Sequence, residues 1–262
     1  MRRVALLTAL ALLAGCDLVH QLQNRKVLVA AVISSPSITV GGVTQSGLVT
    51  AQVFFGERQS DLTAAPTGLD GATVTLSATD GSATSTYSLL PVSAKGAGWY
   101  QATGSVRFTP GTTMFQFKAV YQSEEFSGSV QAPTAAAITG LQNQMFTPRS
   151  SSMTSPLTLT RAGTDPAFYA VVKASVSADL ANATCTNAPV NDAGKLVQFV
   201  LDDSAWTVPS FDLPATPCFP GAGDYAVSLT TVAKSTDVSS NLFLGSAVIA
   251  GAADAGGLVV TP

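Results

Sequence analysis

The chain has 262 residues, of which only 11% are charged and 46% hydrophobic. Its 13 basic residues do not outnumber its 16 acidic ones and form no basic run, so nothing in it resembles a nucleic-acid-binding footprint. Charge lies well below the ~25% of an average soluble protein, and Ala, Ser, Thr, Gly and Val fill the gap, a composition suited to short strands and tight turns.

Arg2 and Arg3 precede an apolar stretch from Val4 to Leu13, interrupted only by Thr8. It has the length of a signal-peptide core and is too short for a membrane span of ~20 residues. Leu13-Ala14-Gly15-Cys16 follows and resembles the lipobox of bacterial lipoproteins. The resemblance implies a signal peptide over residues 1–15, cleavage before Cys16, and acyl chains such as palmitate on the Cys16 sulfur and amine. Several such chains together give lasting membrane attachment where one would be marginal. The rival reading is an ordinary secretory signal with a chance cysteine. Asp17 resembles the enterobacterial signal for staying at the inner membrane; other bacterial groups do not keep that rule, so inner versus outer membrane of the cell envelope stays open. Residues 16–26 are the lipidated cysteine and its tether, and ten residues reach at most roughly 35 Å.

Beyond the tether, period two dominates and helical periodicity is nearly absent. Lys26 to Ser34 is a near-continuous apolar run, as a buried strand requires. Val49 to Phe55 alternates. Asp70-Gly71 and Asp80-Gly81 are turn signals flanking strands at Thr73–Ser77 and Thr84–Leu90. Gly98-Trp99-Tyr100 opens a strand running towards Phe108, Pro110-Gly111 turns the chain, Met114 to Tyr121 alternates most cleanly, and Glu125 to Gln131 completes a set of sandwich-like spacing. This predicts a first β-sandwich domain over residues 27–135. Residues 136–155, rich in Ala, Thr, Ser and Pro, read as a linker.

Residues 156–262 predict a second β-sandwich. Its strands are expected at Pro156–Thr160, Phe168–Val176, Leu196–Leu201, Asp224–Ala233, Leu242–Ala250 and Gly257–Thr261, with polar loops at 182–194 and 209–223. Those loops carry Cys185 and Cys218, which an oxidising compartment would join as a disulfide. Two free thiols or a metal site are the alternatives, though no histidine lies near. Closing the loop would contribute roughly 3–4 kcal/mol on a chain-entropy account.

Several of these segments carry a further resemblance. Val27 to Ile33, Ala72-Thr73-Val74-Thr75-Leu76, Gly98-Trp99-Tyr100, Pro110-Gly111 with Phe115 and Phe117, and Pro133 resemble the N-terminal domain of a family of uncharacterised bacterial lipoproteins. That resemblance implies an Ig-like or transthyretin-like sandwich, often associated with outer-membrane glycan uptake, and supplies no catalytic residue. Gly223-Asp224-Tyr225-Ala226-Val227 resembles the penultimate strand of fibronectin-type modules. The expected fold is thus all-β, two tandem Ig-like or fibronectin-like sandwiches.

Chemistry is sparse. The one histidine is His20, in the tether, so the folded part has none for a nucleophilic pair or a His-rich zinc site. No nucleophile elbow, phosphate loop or dinucleotide fingerprint occurs. A glycosidase needs only two carboxylates, but Glu124-Glu125 read as a hairpin turn and Asp202-Asp203 as a strand end. Asp70, Asp80 and Asp192 read as turn residues bonded to their own backbone. No calcium-loop run is present, and no cofactor or metal is implied. Trp99, Tyr100, Phe115, Phe117 and Tyr121 fit either a sugar-stacking platform or a sandwich core; alternation puts Phe115, Phe117, Ala119 and Tyr121 on one face, which favours the core. Trp206, near Pro209, is the aromatic expected on a loop and the candidate ligand contact. The expected role is a membrane-tethered, non-catalytic interaction or scaffolding module with an envelope protein partner. A glycan- or ligand-binding lipoprotein is the alternative, and an enzyme the third reading.

Overall fold

A computed structural model describes residues 24–35, 37–40, 43–45, 47–59, 64–102, 105–135, 138–139, 147–149, 157–161, 167–173, 183–188 and 210–260. Its strands, in chain order, are β1 (Lys26–Ser35), β2 (Ile38–Val40), β3 (Val43–Gln45), β4 (Leu48–Glu57), β5 (Thr67–Gly68), β6 (Thr73–Asp80), β7 (Ala83–Pro91), β8 (Trp99–Ala102), β9 (Met114–Tyr121), β10 (Glu124–Gln131), β11 (Ile138–Thr139), β12 (Thr147–Arg149), β13 (Leu157–Arg161), β14 (Ala167–Lys173), β15 (Cys185–Thr186), β16 (Ser210–Leu213), β17 (Gly223–Ser235) and β18 (Ala247–Val260). The protein is all-β and sandwich-like.

Eleven strands form one hydrogen-bonded path, β10-β9-β6-β7-β8-β4-β1-β18-β17-β14-β15, with β5 and β12 attached to β4 and β18. Most neighbours are antiparallel, but β1 and β18 run parallel, from Val29 opposite Ala247 to Ser34 opposite Ala252. β11, β13 and β16 make a separate three-stranded sheet, and β2 and β3 a hairpin.

Alternation decides which side chains enter the first core. On β1, Leu28, Ala30 and Val32 point one way and meet Ala51, Val53 and Phe55 of β4, Leu76 of β6 and Phe115 and Phe117 of β9. Each such buried Leu or Phe contributes about 1.5–3 kcal/mol. The opposite face of β1 is covered too: Val27 and Val29 pack with Phe168, Val232, Ala247 and Ile249. A strand buried on both faces has to read as a continuous apolar run, and KVLVAAVIS does.

β17 and β18 pair along their whole length, from Gly223 opposite Val260 to Ser235 opposite Val248. One face of β18 gives Val248 and Ala250 to the first core. The same face, a few residues on, gives Leu258 and Val260 to another core, built with Tyr225, Val227, Leu229, Leu213 and Phe219. This ribbon is the spine that joins the two halves. Two strands were expected at 242–250 and 257–261; the structure has one, because the small residues Ala252 to Gly257 stay paired to β17 rather than turning.

The outer edge of β10 is also covered. The chain between β17 and β18 runs beside it: Ser129 N donates to Asp237 O (3.2 Å), Ser239 N to Ser127 O (2.8 Å), and Gly128 bridges Val238. A Cβ on Gly128 would lie 2.5 Å from Val248 Cγ2 and 2.9 Å from Val238 Cγ1, so only glycine lets this strap close over the core. An unpaired edge is an aggregation hazard, which the strap removes here.

Other differences are local. The strand opened by Trp99 ends at Ala102 instead of running to Phe108. The β9–β10 turn is Gln122-Ser123, both at positive φ (51° and 67°), and Glu124 and Glu125 already belong to β10. The proline-rich loop 209–223 contains β16 and a helical turn at Ala215–Cys218. The strand expected at 196–201 lies outside the described residues.

Candidate functional site

The outward face of β10-β9-β6-β7 is the most regular surface among the described residues. While Phe115, Phe117 and Ala119 enter the core, the alternate residues Met114, Gln116 and Lys118 of β9 point outward, and the ladder aligns them with hydroxyl or amide side chains on both sides. One row reads Ser129, Gln116, Ser77, Thr86 across the four strands. The next reads Ser127, Lys118, Thr75, Ser88, and a third Gln131, Met114, Thr79, Thr84. Rows lie ~7 Å apart along the strands and neighbours ~4.8 Å apart across them. Within them Thr79 Oγ1 and Thr84 Oγ1 are 3.0 Å apart, and Ser77 Oγ and Thr86 Oγ1 are 3.3 Å apart. Lys118 and Glu125 on this face form an ion pair, and at its edge the Asp237 carboxylate accepts from Ser129 Oγ (3.4 Å). Apart from Met114, which is 43% exposed, the rest of the three rows are neutral donors and acceptors, suited to hydrogen bonding. The sequence carries its signal: in TVTLSAT every outward position is Ser or Thr. No motif marks it, because hydroxyls on a strand face are common.

Of the aromatic residues considered for a sugar platform, Trp99, Tyr100, Phe115 and Phe117 are buried, while Tyr121 is half-buried against the edge of the core. Phe115 and Phe117 are fully buried and Trp99 is 5% exposed. Trp99 packs its ring 5.4 Å from that of Phe54, with Lys95 Nζ 5.4 Å above it. Tyr100 is buried and donates its hydroxyl hydrogen to Leu69 O (2.8 Å) while accepting from Ala72 N (3.2 Å). Burial raises its pKa above the usual tyrosine value, the Ala72 hydrogen bond partly opposing and nearby Asp70 adding to the rise.

Cys185 and Cys218 are joined in a disulfide that closes a separation of 33 residues. It belongs to the second core beside Phe219 and Tyr225. Thr184 Oγ1 lies between Cys218 O (2.7 Å) and Val171 O (3.1 Å), and its single hydrogen is shared between them with Cys218 O the nearer acceptor. Tyr225, at the start of β17, donates back to Gly221 O (2.9 Å), the tyrosine-corner arrangement of Ig-type sandwiches. Burial raises the pKa of both Tyr225 and Tyr169.

Two of the expected turn aspartates reach further than their own backbone. Asp70 Oδ1 accepts from Gly98 N (3.1 Å) and Asp80 Oδ2 from Thr109 Oγ1 (2.7 Å), so each ties two distant loops together. Cys16, Asp17, His20, Asp192, Asp202, Asp203 and Trp206 lie outside the described residues. Among the described residues, no group of three or more His, Cys, Asp and Glu side chains is placed to hold a metal ion.

A second cluster sits where β1 begins. Glu57 accepts from Lys26 Nζ (3.0 Å) and faces Arg25 Nε (3.4 Å). The Arg58 guanidinium lies 4.4 Å from the centre of the Phe243 ring. Phe243 N donates to Lys26 O (2.7 Å), and Asn24 Nδ2 to Ser240 O (2.6 Å) and Leu242 O (3.1 Å), which seats the 240–246 turn against the start of the first strand.

No family model matches the chain, and no curated protein matches it. Among solved structures, the FN1–FN3 domains of chicken CNTN1 are similar over 87% of this chain and 68% of that one, at 8% identity and a TM-score of 0.20. A titin A168–A169 structure is similar over 91% of this chain and 100% of that one, at 11% identity and a TM-score of 0.22.

Proposed function

We propose that the protein is a lipid-anchored, non-catalytic interaction module of the bacterial cell envelope, held to a membrane through Cys16. The lipobox-like Leu13-Ala14-Gly15-Cys16 supports the anchor. The start of β1 with the 240–246 turn would form its membrane-proximal end, and the disulfide-bonded core its distal end. The observation that carries the interaction role is the outward face of β10-β9-β6-β7, where three rows of mostly neutral polar side chains stand on a rigid, fully packed backing. A face of that kind presents many donors and acceptors at fixed spacing, which suits holding a partner.

The same face favours glycan binding as the second reading. Sugar hydroxyls are matched by neutral hydroxyl and amide groups, and the Gln116 and Gln131 side chains each offer both a donor and an acceptor. Trp206 is the aromatic proposed to add a stacking contact.

Photo-crosslinking in the native envelope from Gln116 and Thr86 tests the proposal. A defined protein adduct from both positions, missing from a crosslinker at Ser82 in the β6–β7 turn, supports a protein-binding module. A glycan adduct with the same pattern moves the assignment to the second reading. Equal, diffuse labelling from all three positions contradicts a role for this face.

A further inference from the structure

We infer that the end of the molecule where β1 begins is a docking surface for anionic phospholipid headgroups. The inference rests on the lipid anchor proposed at Cys16. From Cys16 to Asn24 the chain spans about eight residues, at most roughly 28 Å when extended. Asn24 is fixed to the fold by its hydrogen bonds to Ser240 O and Leu242 O. The groups beside Asn24 are therefore confined to within that reach of the anchor.

Those groups have the chemistry for it. Arg25, Lys26 and Arg58 meet at this end, and among the described residues the acidic groups in contact with them or with the 240–246 turn are Glu57 and Glu124. Among the described residues the balance at this end is three cations to two carboxylates, one positive charge in excess in a chain whose overall charge is −3. Arg25 is the most available of the three, its side chain 62% exposed. Leu244 projects from the same turn at 43% exposure, next to the Phe243 ring on which Arg58 lies. Cations around one exposed leucine suit a headgroup layer, where phosphates meet the guanidinium and ammonium groups and the apolar side chain enters the acyl boundary.

The remainder of the fold agrees with this orientation. β18 starts here, with Ala247 opposite Val29, and leads away over 14 residues, ~46 Å at strand rise. The disulfide-bonded core lies at its far end, and the hydroxyl rows run along the side. Docking would leave both open.

The test uses the lipidated full chain with Leu244→Cys as its one free thiol, carrying a spin label, reconstituted into phosphatidylglycerol or phosphatidylcholine vesicles. Flotation and the mass of the Cys16 peptide report the anchor; relative accessibility to oxygen and to a water-soluble nickel complex reports docking. The expected result is a label shielded from nickel on phosphatidylglycerol, released on phosphatidylcholine and released again by 1 M salt. Arg25→Gln with Lys26→Gln should lower the docked-to-free ratio roughly five-fold per charge. The salt series on the unsubstituted surface gives the same answer should those variants fold poorly. Protein that floats while its label at position 244 stays as water-exposed as one on Ser82→Cys overturns the docking surface and leaves the anchor standing. Equal shielding on both lipids overturns headgroup recognition. Protein that neither floats nor carries lipid on Cys16 takes down the anchor and the docking surface together.

Discussion

Val29 of the first strand lies opposite Ala247 of the last, in a parallel ladder that continues to Ser34 and Ala252. Chain ends far apart in sequence thereby share one sheet. The ladder begins with a side-chain bond: Ser246, 1% exposed, accepts from Leu28 N at 3.1 Å. Ser246→Ala would leave that buried amide without its partner, at a cost of about 1–3 kcal/mol. Chemical denaturation should show the midpoint falling with an unchanged slope. Hydrogen exchange should quicken at Leu28 and Val29 before it does in β9.

Gly128 sets the distance between β10 and the 236–242 strap. Gly128→Val should push Val238 away and destabilise the protein by about 1–3 kcal/mol, as overpacking does. The amides of Ser127 and Ser129, now bonded to Ser239 Oγ and Asp237 O, should lose their exchange protection together. Protection retained at both amides would mean that the strap is not held by this close approach.

The disulfide should be felt mainly in the second core. Replacing Cys185 and Cys218 together by alanine removes a crosslink across 33 residues, worth about 3–4 kcal/mol by loop-closure entropy. Thermal melting of the oxidised protein and the double variant checks the size. Exchange should rise most around Thr184, Phe219 and Tyr225, which pack or bond beside the link.

Alkaline pH should weaken the fold through tyrosine. Burial raises the pKa of Tyr100, Tyr169 and Tyr225 in the folded protein, whereas the unfolded chain ionises them near the usual value of ~10. The unfolded state therefore loses these protons first. The stability they contribute is complete below pH ~10 and is lost as pH rises through the raised folded values. Melting temperatures between pH 8 and 11.5 should be flat and then fall. Tyr225→Phe should reduce the fall, while costing about 1 kcal/mol at neutral pH through the lost bond to Gly221 O.

Much of this fold was legible because its cues are local. Alternation in MFQFKAVY gives β9 its bounds, and the unbroken apolar run of β1 announces a strand buried on both faces. The pairing of Cys185 with Cys218 was expected because they are the two cysteines left once the N-terminal Cys16 is set aside, and the structure joins them. The β1–β18 ladder was not legible, since nothing in either strand's own sequence names a partner across the chain. β18 was divided in two because Ala and Gly carry the same signal in a turn as in a tightly paired ribbon. Asp70 and Asp80 were read as local because turn chemistry is written in adjacent residues, whereas their partners, Gly98 and Thr109, are 28 and 29 positions away. The hydroxyl rows were present in the alternation of β6 but become a surface only when register aligns four strands.

The central claim is that this scaffold works from a membrane through Cys16. Palmitate labelling with membrane fractionation, run on the native chain and on Cys16→Ala, tests it most directly. The account predicts a labelled, membrane-bound native protein, and an unlabelled variant recovered in the soluble envelope fraction with its Cys185–Cys218 disulfide intact. A native protein without label, or a Cys16→Ala chain that keeps both label and membrane, would contradict it.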